Sequence, residues 1–309
     1  MKRVFAVILL CLCLSLGGCG SFAEPPSSSS AVSVTDALGN TVFLGKDARV
    51  VSCYGSFADI WLLSGGTLAG VTQDAVDEGI VSAEVVTVVG SVKNINLEKI
   101  AGLSPDYVIL SADLAAHRKL QDSLNALNIP YGYFRVDTFS DYKAVMTQFC
   151  AVNDRQDLFD QNVLQTEARI LSLLEKLPSS SSRSVLLVRV YSTGMKAKSD
   201  DNLAGKILKE FGLRNIADDN PSLLEDLSVE QILLADPDYV IALSMGDEDA
   251  AKEFLKQNLE NNPAWQGLSA VKNQRYALLP KDLFHYKPNE RWDESYEYLA
   301  KIVYPENFG

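Results

Sequence analysis

The stretch LEKIAGLSPDYVI at residues 97–109 has a counterpart, VEQILLADPDYVI, at residues 229–241. In each copy an isoleucine, Ile100 or Ile232, and the apolar residue three positions later follow helical spacing, and a proline then ends the helix. The Tyr-Val-Ile run that follows is typical of a short strand buried in a parallel sheet. Because the copies lie 132 residues apart, too far for a solenoid repeat, they predict two similar α/β halves.

Predicted strands and helices alternate around both copies, which favours βα units and mainly parallel sheets. The strands are predicted at residues 49–52, 69–72, 107–110 and 131–135, and in the second half at 185–190, 239–243 and 276–279. The helices are predicted at residues 57–63, 117–127, 203–211, 248–259 and 291–303.

A longer helical pattern separates the two halves. Apolar residues recur at helical spacing through residues 142–177, and this segment contains no glycine or proline. It can hold a helix of about 20 residues or more, roughly 30 Å long. The predicted fold class is therefore α/β, with two Rossmann-like lobes at residues 32–140 and 179–309 and a ligand cleft between them. A single long helix within residues 141–178 joins the lobes, so we expect modest lobe closure on binding.

Composition restricts the possible functions. The chain has 309 residues, 47% of them apolar and 22% charged, with a formal net charge of −12. Such an acidic chain is a poor candidate for binding nucleic acid. The only histidines are His117 and His285, which excludes a three-histidine metal site within one chain. The sequence has no GxSxG, HExxH, P-loop or GxGxxG motif, so we expect no enzymatic activity, cofactor or resident metal.

The N-terminus has the pattern of an export signal. A Met-Lys-Arg start precedes an apolar run at residues 4–16, which is too short to span a bilayer. The run ends in LGGC, and this resembles the bacterial lipoprotein signal. The resemblance implies a signal peptide at residues 1–18, a lipid on Cys19 and a location on the extracytoplasmic face of the cell membrane. Residues 19–31, rich in proline and serine, are typical of a flexible tether. The alternative is an ordinary signal peptide with an incidental cysteine.

Two cysteines remain after the signal, Cys53 and Cys150. They could form one disulfide in an oxidising compartment, but we favour two buried free thiols.

Several segments together resemble the solute-binding proteins of iron-siderophore, haem and cobalamin ABC importers, the class III, TroA-like periplasmic binding proteins. They are the lipoprotein signal, TDALGN at residues 35–40, VVS at 50–52, the doubled Glu…Pro-Asp motif and the linking helix. The resemblance covers about residues 32–305. It implies one glutamate on each lobe that docks onto the permease, and the matching positions are Glu98 and Glu230. Alternatively, these acids only favour the dipoles of helices capped by Asn96 and Ser228.

Loops after the strands are the candidate ligand site, because open α/β sheets bind ligands beyond the carboxyl ends of their strands. Aromatic side chains and cations are concentrated there, which favours an anionic ligand with an organic body. The candidate ligand-binding residues are Tyr54, Ser56, Ser111, Arg135, Tyr191, Lys196, Phe284, His285, Tyr286, Lys287 and Arg291. The alternative makes Phe284 and Trp292 core residues and pairs Arg291 with Glu294 or Glu290.

The ligand class stays open at this point. A His117–His285 pair across the cleft could ligate haem iron, although we expect His117 to lie on the surface. Free divalent metals are disfavoured because their pockets need more histidines.

We expect an extracytoplasmic solute-binding lipoprotein that captures a ferric siderophore or related iron complex. It would act as a monomer and deliver the complex to an ABC permease and its ATPase. The alternatives are haem or cobalamin binding on the same scaffold, a ligand-sensing lipoprotein without transport, or an exported enzyme.

Overall fold

The computed structural model describes residues 31–179 and 181–308, and the chain from Ala31 onward forms one compact unit. Cys19, the predicted signal peptide and the tether up to Ser30 lie outside the described residues. Within that unit the lobe boundaries at residues 140 and 178 stay a prediction. None of the helices described combines the length and hydropathy needed to cross a membrane.

The first half contains a hairpin, a parallel sheet and short helices. Its strands are β1 (Val32–Thr35), β2 (Thr41–Leu44), β3 (Val50–Ser52), β4 (Leu68–Val71), β5 (Thr87–Val88), β6 (Gly90–Ser91), β7 (Asn94–Ile95), β8 (Tyr107–Ser111) and β9 (Tyr131–Phe134). Its helices are α1 (Gly55–Leu63), α2 (Gln73–Asp77), α3 (Leu97–Gly102), α4 (Ala115–Arg118) and α5 (Gln121–Ala126). The main sheet has the order β5-β4-β3-β8-β9, and all of its strands are parallel.

The linking segment is helical and consists of two runs, the second of which is the long linking helix. Helix α6 (Phe139–Asn153) starts at a capping box formed by Thr138 and Asp141 and contacts α1 and β1 of the first half. It ends because Asp154 adopts a left-handed conformation, with φ of 53°. The second run comprises α7 (Gln156–Phe159), a π-helical turn (Asp160–Leu164) and α8 (Gln165–Leu174). This run matches the predicted linking helix in length.

The second half repeats the architecture of the first. Its strands are β10 (Ser184–Tyr191), β11 (Gly194–Ala197), β12 (Arg214–Asn215), β13 (Tyr239–Ser244) and β14 (Tyr276–Leu279). Its helices are α9 (Leu203–Glu210), α10 (Ile216–Asp219), α11 (Ser222–Glu225), α12 (Val229–Ala235), α13 (Glu248–Asn261), α14 (Pro263–Gln266), α15 (Ser269–Lys272), α16 (Lys281–Phe284) and α17 (Trp292–Val303), with 3-10 turns at Asn289–Arg291 and Pro305–Asn307. Strands β12, β10, β13 and β14 run parallel, and β11 folds back antiparallel onto β10.

The repeated Pro-Asp turn has the same structural role in both halves. Asp106 accepts a hydrogen bond of 2.7 Å from the backbone N–H of Arg49, directly before β3. Asp238 accepts one of 2.8 Å from the N–H of Ser184, the first residue of β10. Each carboxylate therefore fixes the start of the neighbouring strand, and this sets the register of the sheet that carries the site.

Candidate functional site

Two cavities lie between the halves, on either side of Tyr286 and Lys287. The first has a volume of about 210 Å³ and is lined by residues that follow β9, β10, β13 and β14. The second, of about 180 Å³, is lined by α1, the residue after α2 and the segment 286–291. These are the carboxyl ends of the strands, where the topology predicts a ligand. A larger open groove of about 1010 Å³ lies at the opposite, amino ends of β3 and β4 and does not involve the second half.

The first cavity is lined by a cation that sequence reasoning missed. Arg189 lies on β10 and takes part in none of the ion pairs formed by the described residues. Ser244, at the end of β13, lines the same cavity, and its hydroxyl is buried without a hydrogen-bond partner. An unpaired guanidinium beside an unsatisfied hydroxyl is suited to an oxyanion.

His285 adds a neutral imidazole to this cavity. The residue is exposed by surface area. Partial burial, and then the neighbouring cations Lys281, Arg189 and Lys287, lower the pKa of its imidazole. At neutral pH the ring therefore donates or accepts a hydrogen bond without adding charge.

Contacts across the cleft hold the segment after α16 against the first half. The Lys287 Nζ atom lies 3.1 Å from Asp137 Oδ1, and both side chains are mostly buried. Asp137 also lies 3.5 Å from Lys206 Nζ. The backbone N–H of Lys287 donates to the Ser56 hydroxyl over 3.2 Å. Ser56 and Lys287, both predicted ligand residues, therefore connect the two halves.

Tyr286 lines the second cavity, and Tyr54 shares two acidic neighbours with it. Burial and the carboxylates of Glu78 and Asp74 raise the pKa of Tyr54 to about 12. Burial and the same two carboxylates raise the pKa of Tyr286 as well. Tyr286 belongs to the second half, whereas Glu78 and Asp74 belong to the first. Two of the predicted aromatic ligand residues, Tyr54 and Tyr286, thus lie near the same acids rather than near the expected cations.

Several predicted cations are already paired. Arg135 donates to Asp113 over 2.6 Å, and Arg291 pairs with Asp282 and Glu294. The alternative for Arg291 is therefore confirmed for Glu294 and wrong for Glu290. Lys196 lies exposed on the antiparallel strand β11, opposite Arg189. Neither Lys196 nor its neighbour Tyr191 lines the two cavities.

His117 is the clearest correction among the site residues. The expectation of a surface histidine is wrong, because the side chain is fully buried. Its Nδ1 accepts from the N–H of Ser111 over 2.9 Å, and its Nε2 lies 3.0 Å from the carbonyl oxygen of Val92. Both ring nitrogens are therefore engaged, so a haem-ligating pair with His285 has no free nitrogen on this side. Ser111 is itself buried in this network.

Phe284 and Trp292 belong to the hydrophobic core, as the alternative interpretation has it. Phe284 still borders the first cavity. Cys53 and Cys150 are buried free thiols, which confirms the favoured interpretation. No group of three or more His, Cys, Asp and Glu residues in the described part of the chain is arranged to hold a metal ion.

Glu98 and Glu230 occupy equivalent exposed positions. Each lies in the first turn of its helix, α3 or α12. Asn96 and Ser228 cap these helices through their side chains, as predicted. Asn96 and Ser228 therefore cap the helices without help from the glutamates, and both glutamate carboxylates are exposed at the surface.

Arg189 was missed because the search was confined to loops. It stands within VLLVRVY, residues 185–191, as the only charge in an apolar strand. A charged residue two positions before the end of an otherwise apolar strand is a signal that could have identified Arg189, because charged side chains are rarely buried without a partner.

A family model, two related sequences and a solved structure all relate this chain to substrate-binding proteins. A family model described as a periplasmic binding protein matches residues 50–283. In Bacillus subtilis (strain 168), YhfQ, a candidate ABC transporter substrate-binding lipoprotein, is 28% identical over 292 residues, covering 88% of this chain and 89% of YhfQ. The Fe(3+)-citrate-binding protein YfmC of the same organism is 25% identical over 277 residues, covering 86% of this chain and 85% of YfmC. The crystal structure of Staphylococcus aureus SirA complexed with staphyloferrin B has a TM-score of 0.66 at 18% identity, covering 88% of this chain and 98% of SirA.

Proposed function

The chain belongs to the periplasmic binding protein family, and we propose that it is the extracytoplasmic solute-binding lipoprotein of an ABC importer for ferric-siderophore-type complexes. Cys19 would carry the lipid that anchors it to the cell membrane. The protein would collect the iron complex in the cleft between its halves and deliver it to the permease.

The observation that carries the proposal is the unpaired Arg189 in a cavity between two parallel sheets. A guanidinium presents a planar fork of donors that matches a carboxylate or another oxyanion. The buried Ser244 hydroxyl, which has no partner, supplies one more donor at the same place. Ferric complexes of oxygen ligands expose such anionic groups around the metal.

Tyr54 and Tyr286 support a ligand that has an organic body. Their rings lie at the cleft with their hydroxyl groups near acids, so their faces can pack on the organic body of a chelate. The relatives point the same way, since YfmC is named for Fe(3+)-citrate and SirA was crystallised with staphyloferrin B.

A binding titration of the mature protein tests this function. Isothermal titration calorimetry would compare ferric citrate with ferric hydroxamate and ferric catecholate siderophores. Arg189→Gln should weaken binding of the preferred complex by roughly 10- to 100-fold, the value of about 1.5–3 kcal/mol for a charge-assisted hydrogen bond. Arg118→Gln, which changes an exposed arginine outside both cavities, is the matched control. Failure of every ferric complex to bind, or equal affinity of the two variants, would contradict the proposal.

Delivery to the permease is tested separately. We propose that Glu98 and Glu230 contact arginines of the permease, because two exposed carboxylates at equivalent places give a two-point electrostatic contact. The double variant Glu98→Ala/Glu230→Ala should keep its ligand affinity and lose most iron uptake in cells. Replacement of the exposed Glu175 by alanine is the control. Undiminished uptake by the double variant would refute this docking role.

A further inference from the structure

The second cavity has the opposite polarity from the first. Four carboxylates line it. Asp282 pairs with Arg291, whereas Asp59, Glu78 and Glu290 are in no ion pair with another described residue. The two cations that also line this cavity are engaged elsewhere. Lys287 pairs with Asp137, and Arg291 pairs with Asp282 and Glu294.

The raised pKa values of these three carboxyl groups agree with the absence of a cation beside them. Burial, and then the neighbouring Asp74, Asp59 and Asp77, raise the pKa of Glu78 to about 7. Burial raises the pKa of Asp59, although a hydrogen bond from Asn289 opposes the change. Burial, followed by the charge of Asp59, raises the pKa of Glu290. A cation at this place would relieve all three carboxylates.

An unsatisfied amide in the same cavity is an independent observation. Asn289 lines the cavity and is 1% exposed. Its Nδ2 group donates to the carbonyl oxygen of Ser56 over 3.1 Å and to Asp59 Oδ2 over 2.6 Å. Both amide hydrogens are thereby used, which fixes the orientation of the side chain. The remaining atom, Oδ1, is a buried acceptor that receives no hydrogen bond from the described residues.

We propose that this cavity is a subsite for a protonated amine of the cargo, held by Asp59, Glu78, Glu290 and the Asn289 carbonyl oxygen. The inference rests on the proposed function and narrows its substrate class to ferric complexes that also carry an ammonium group. Such a group stays protonated at neutral pH, and it brings a positive charge for the three unpaired carboxylates and an N–H donor for the unpartnered Asn289 Oδ1 atom.

An organic ammonium fits better than a metal ion. Among the described residues no three carboxylate, imidazole or thiolate side chains converge closely enough to bind a metal. A volume of about 180 Å³ is ample for an alkylammonium group. Tyr286 and Lys287 line both cavities, so one elongated ligand can place its amine here and its anionic groups near Arg189.

A matched ligand pair tests the subsite. The iron complex of desferrioxamine B ends in a primary amine, and its N-acetylated derivative carries a neutral amide in place of the ammonium group. Calorimetric titration of the wild-type protein should show at least ten-fold tighter binding of the free amine. The preference should fall below three-fold in Glu78→Gln and in Glu290→Gln. It should persist in Glu175→Gln, which changes an exposed acid outside both cavities.

The outcomes separate the subsite from the function. Equal affinity for the two complexes overturns the subsite and leaves the importer function standing. So does binding of other ferric complexes when neither member of the pair binds. If no ferric complex binds, both proposals fall together. A parallel thermal-melt series with CaCl₂ covers an inorganic ion, because Ca²⁺-dependent stabilisation that Glu78→Gln abolishes would replace the ammonium with a metal.

Discussion

Replacement of Glu78 by glutamine should change how the stability of the protein depends on pH. The folded protein holds the pKa of Glu78 at about 7, against an ordinary value of 4.5, mainly because of burial and the nearby Asp74. The folded state therefore binds more protons than the unfolded state between these two values. Protonated Glu78 therefore contributes its full share to the free energy of unfolding below about pH 4.5, and this contribution is lost as the pH rises through 7.

The size of this effect follows from the two pKa values. The full difference corresponds to about 3 kcal/mol, and partial exposure of Glu78 reduces the expected effect to about 1–2 kcal/mol through solvent screening. Glutamine keeps the shape and cannot ionise. Glu78→Gln should therefore match the wild type near pH 5 and exceed its free energy of unfolding by about 1–2 kcal/mol at pH 8.

Urea unfolding at pH 5, 6, 7 and 8 measures this difference directly. Titrating groups that do not interact with Glu78 contribute to both proteins equally, so the difference between wild type and variant reports on Glu78 and on the acids coupled to it. Glu175→Gln is the control, and its difference from the wild type should not change with pH. A difference for Glu78→Gln that stays flat from pH 5 to 8, or that grows toward low pH, would refute the electrostatic argument.

Three further variants test the framework around the site. A Cβ atom on Gly132 would lie 1.9 Å from the Tyr107 hydroxyl, so Gly132→Ala should lose about 1–3 kcal/mol of stability in urea unfolding, with partial recovery when combined with Tyr107→Phe. His117→Ala leaves the buried N–H of Ser111 and the half-buried carbonyl oxygen of Val92 without their partner and should cost about 2 kcal/mol; an unchanged melting temperature would disprove that role. Asp137→Asn weakens the bond to Lys287 across the cleft and should speed ligand dissociation in stopped-flow measurements, whereas an unchanged rate would mean that this pair does not restrain the halves.

The sequence predicted the helix ends correctly where a proline stands, because proline has one strong effect on a helix. Proline usually ends a helix. Pro105 and Pro237 therefore marked the ends of α3 and α12, and the doubled motif located these helices and the strands after them. It could not show why the aspartates recur. Their function is to hold the N–H groups of Arg49 and Ser184, and that contact exists only after distant strands have paired.

The linking segment shows a limit of another kind. No helix-breaking residue type stands between Tyr142 and Leu177, yet the helix stops at Asp154. Aspartate tolerates the left-handed conformation, but nothing in its neighbours announces that it will adopt it. The contacts of α6 with the hairpin, such as the bond from Thr35 to Gln148 over 2.6 Å, are tertiary and invisible in the local pattern.

The sequence predicted a site at the carboxyl ends of the strands, and the two cavities described above lie there. The sequence did not predict which charged side chains are unpaired at these cavities. Whether a cation there is available depends on the acids that surround it, and Arg135, Lys287 and Arg291 all found partners. Arg189 is in no ion pair of the described residues, and the two acids that line its cavity are paired with lysines, Asp137 with Lys287 and Asp201 with Lys198.

The division of the cleft into two cavities of opposite polarity has a consequence for selectivity. The first half supplies Asp59 and Glu78, and the second supplies Arg189. A ligand with only negative charge gains from Arg189 but is repelled by the acids beyond Tyr286. Since the unpaired acids oppose a purely anionic cargo, we expect a ferric complex that also carries an ammonium group to be preferred over one without it.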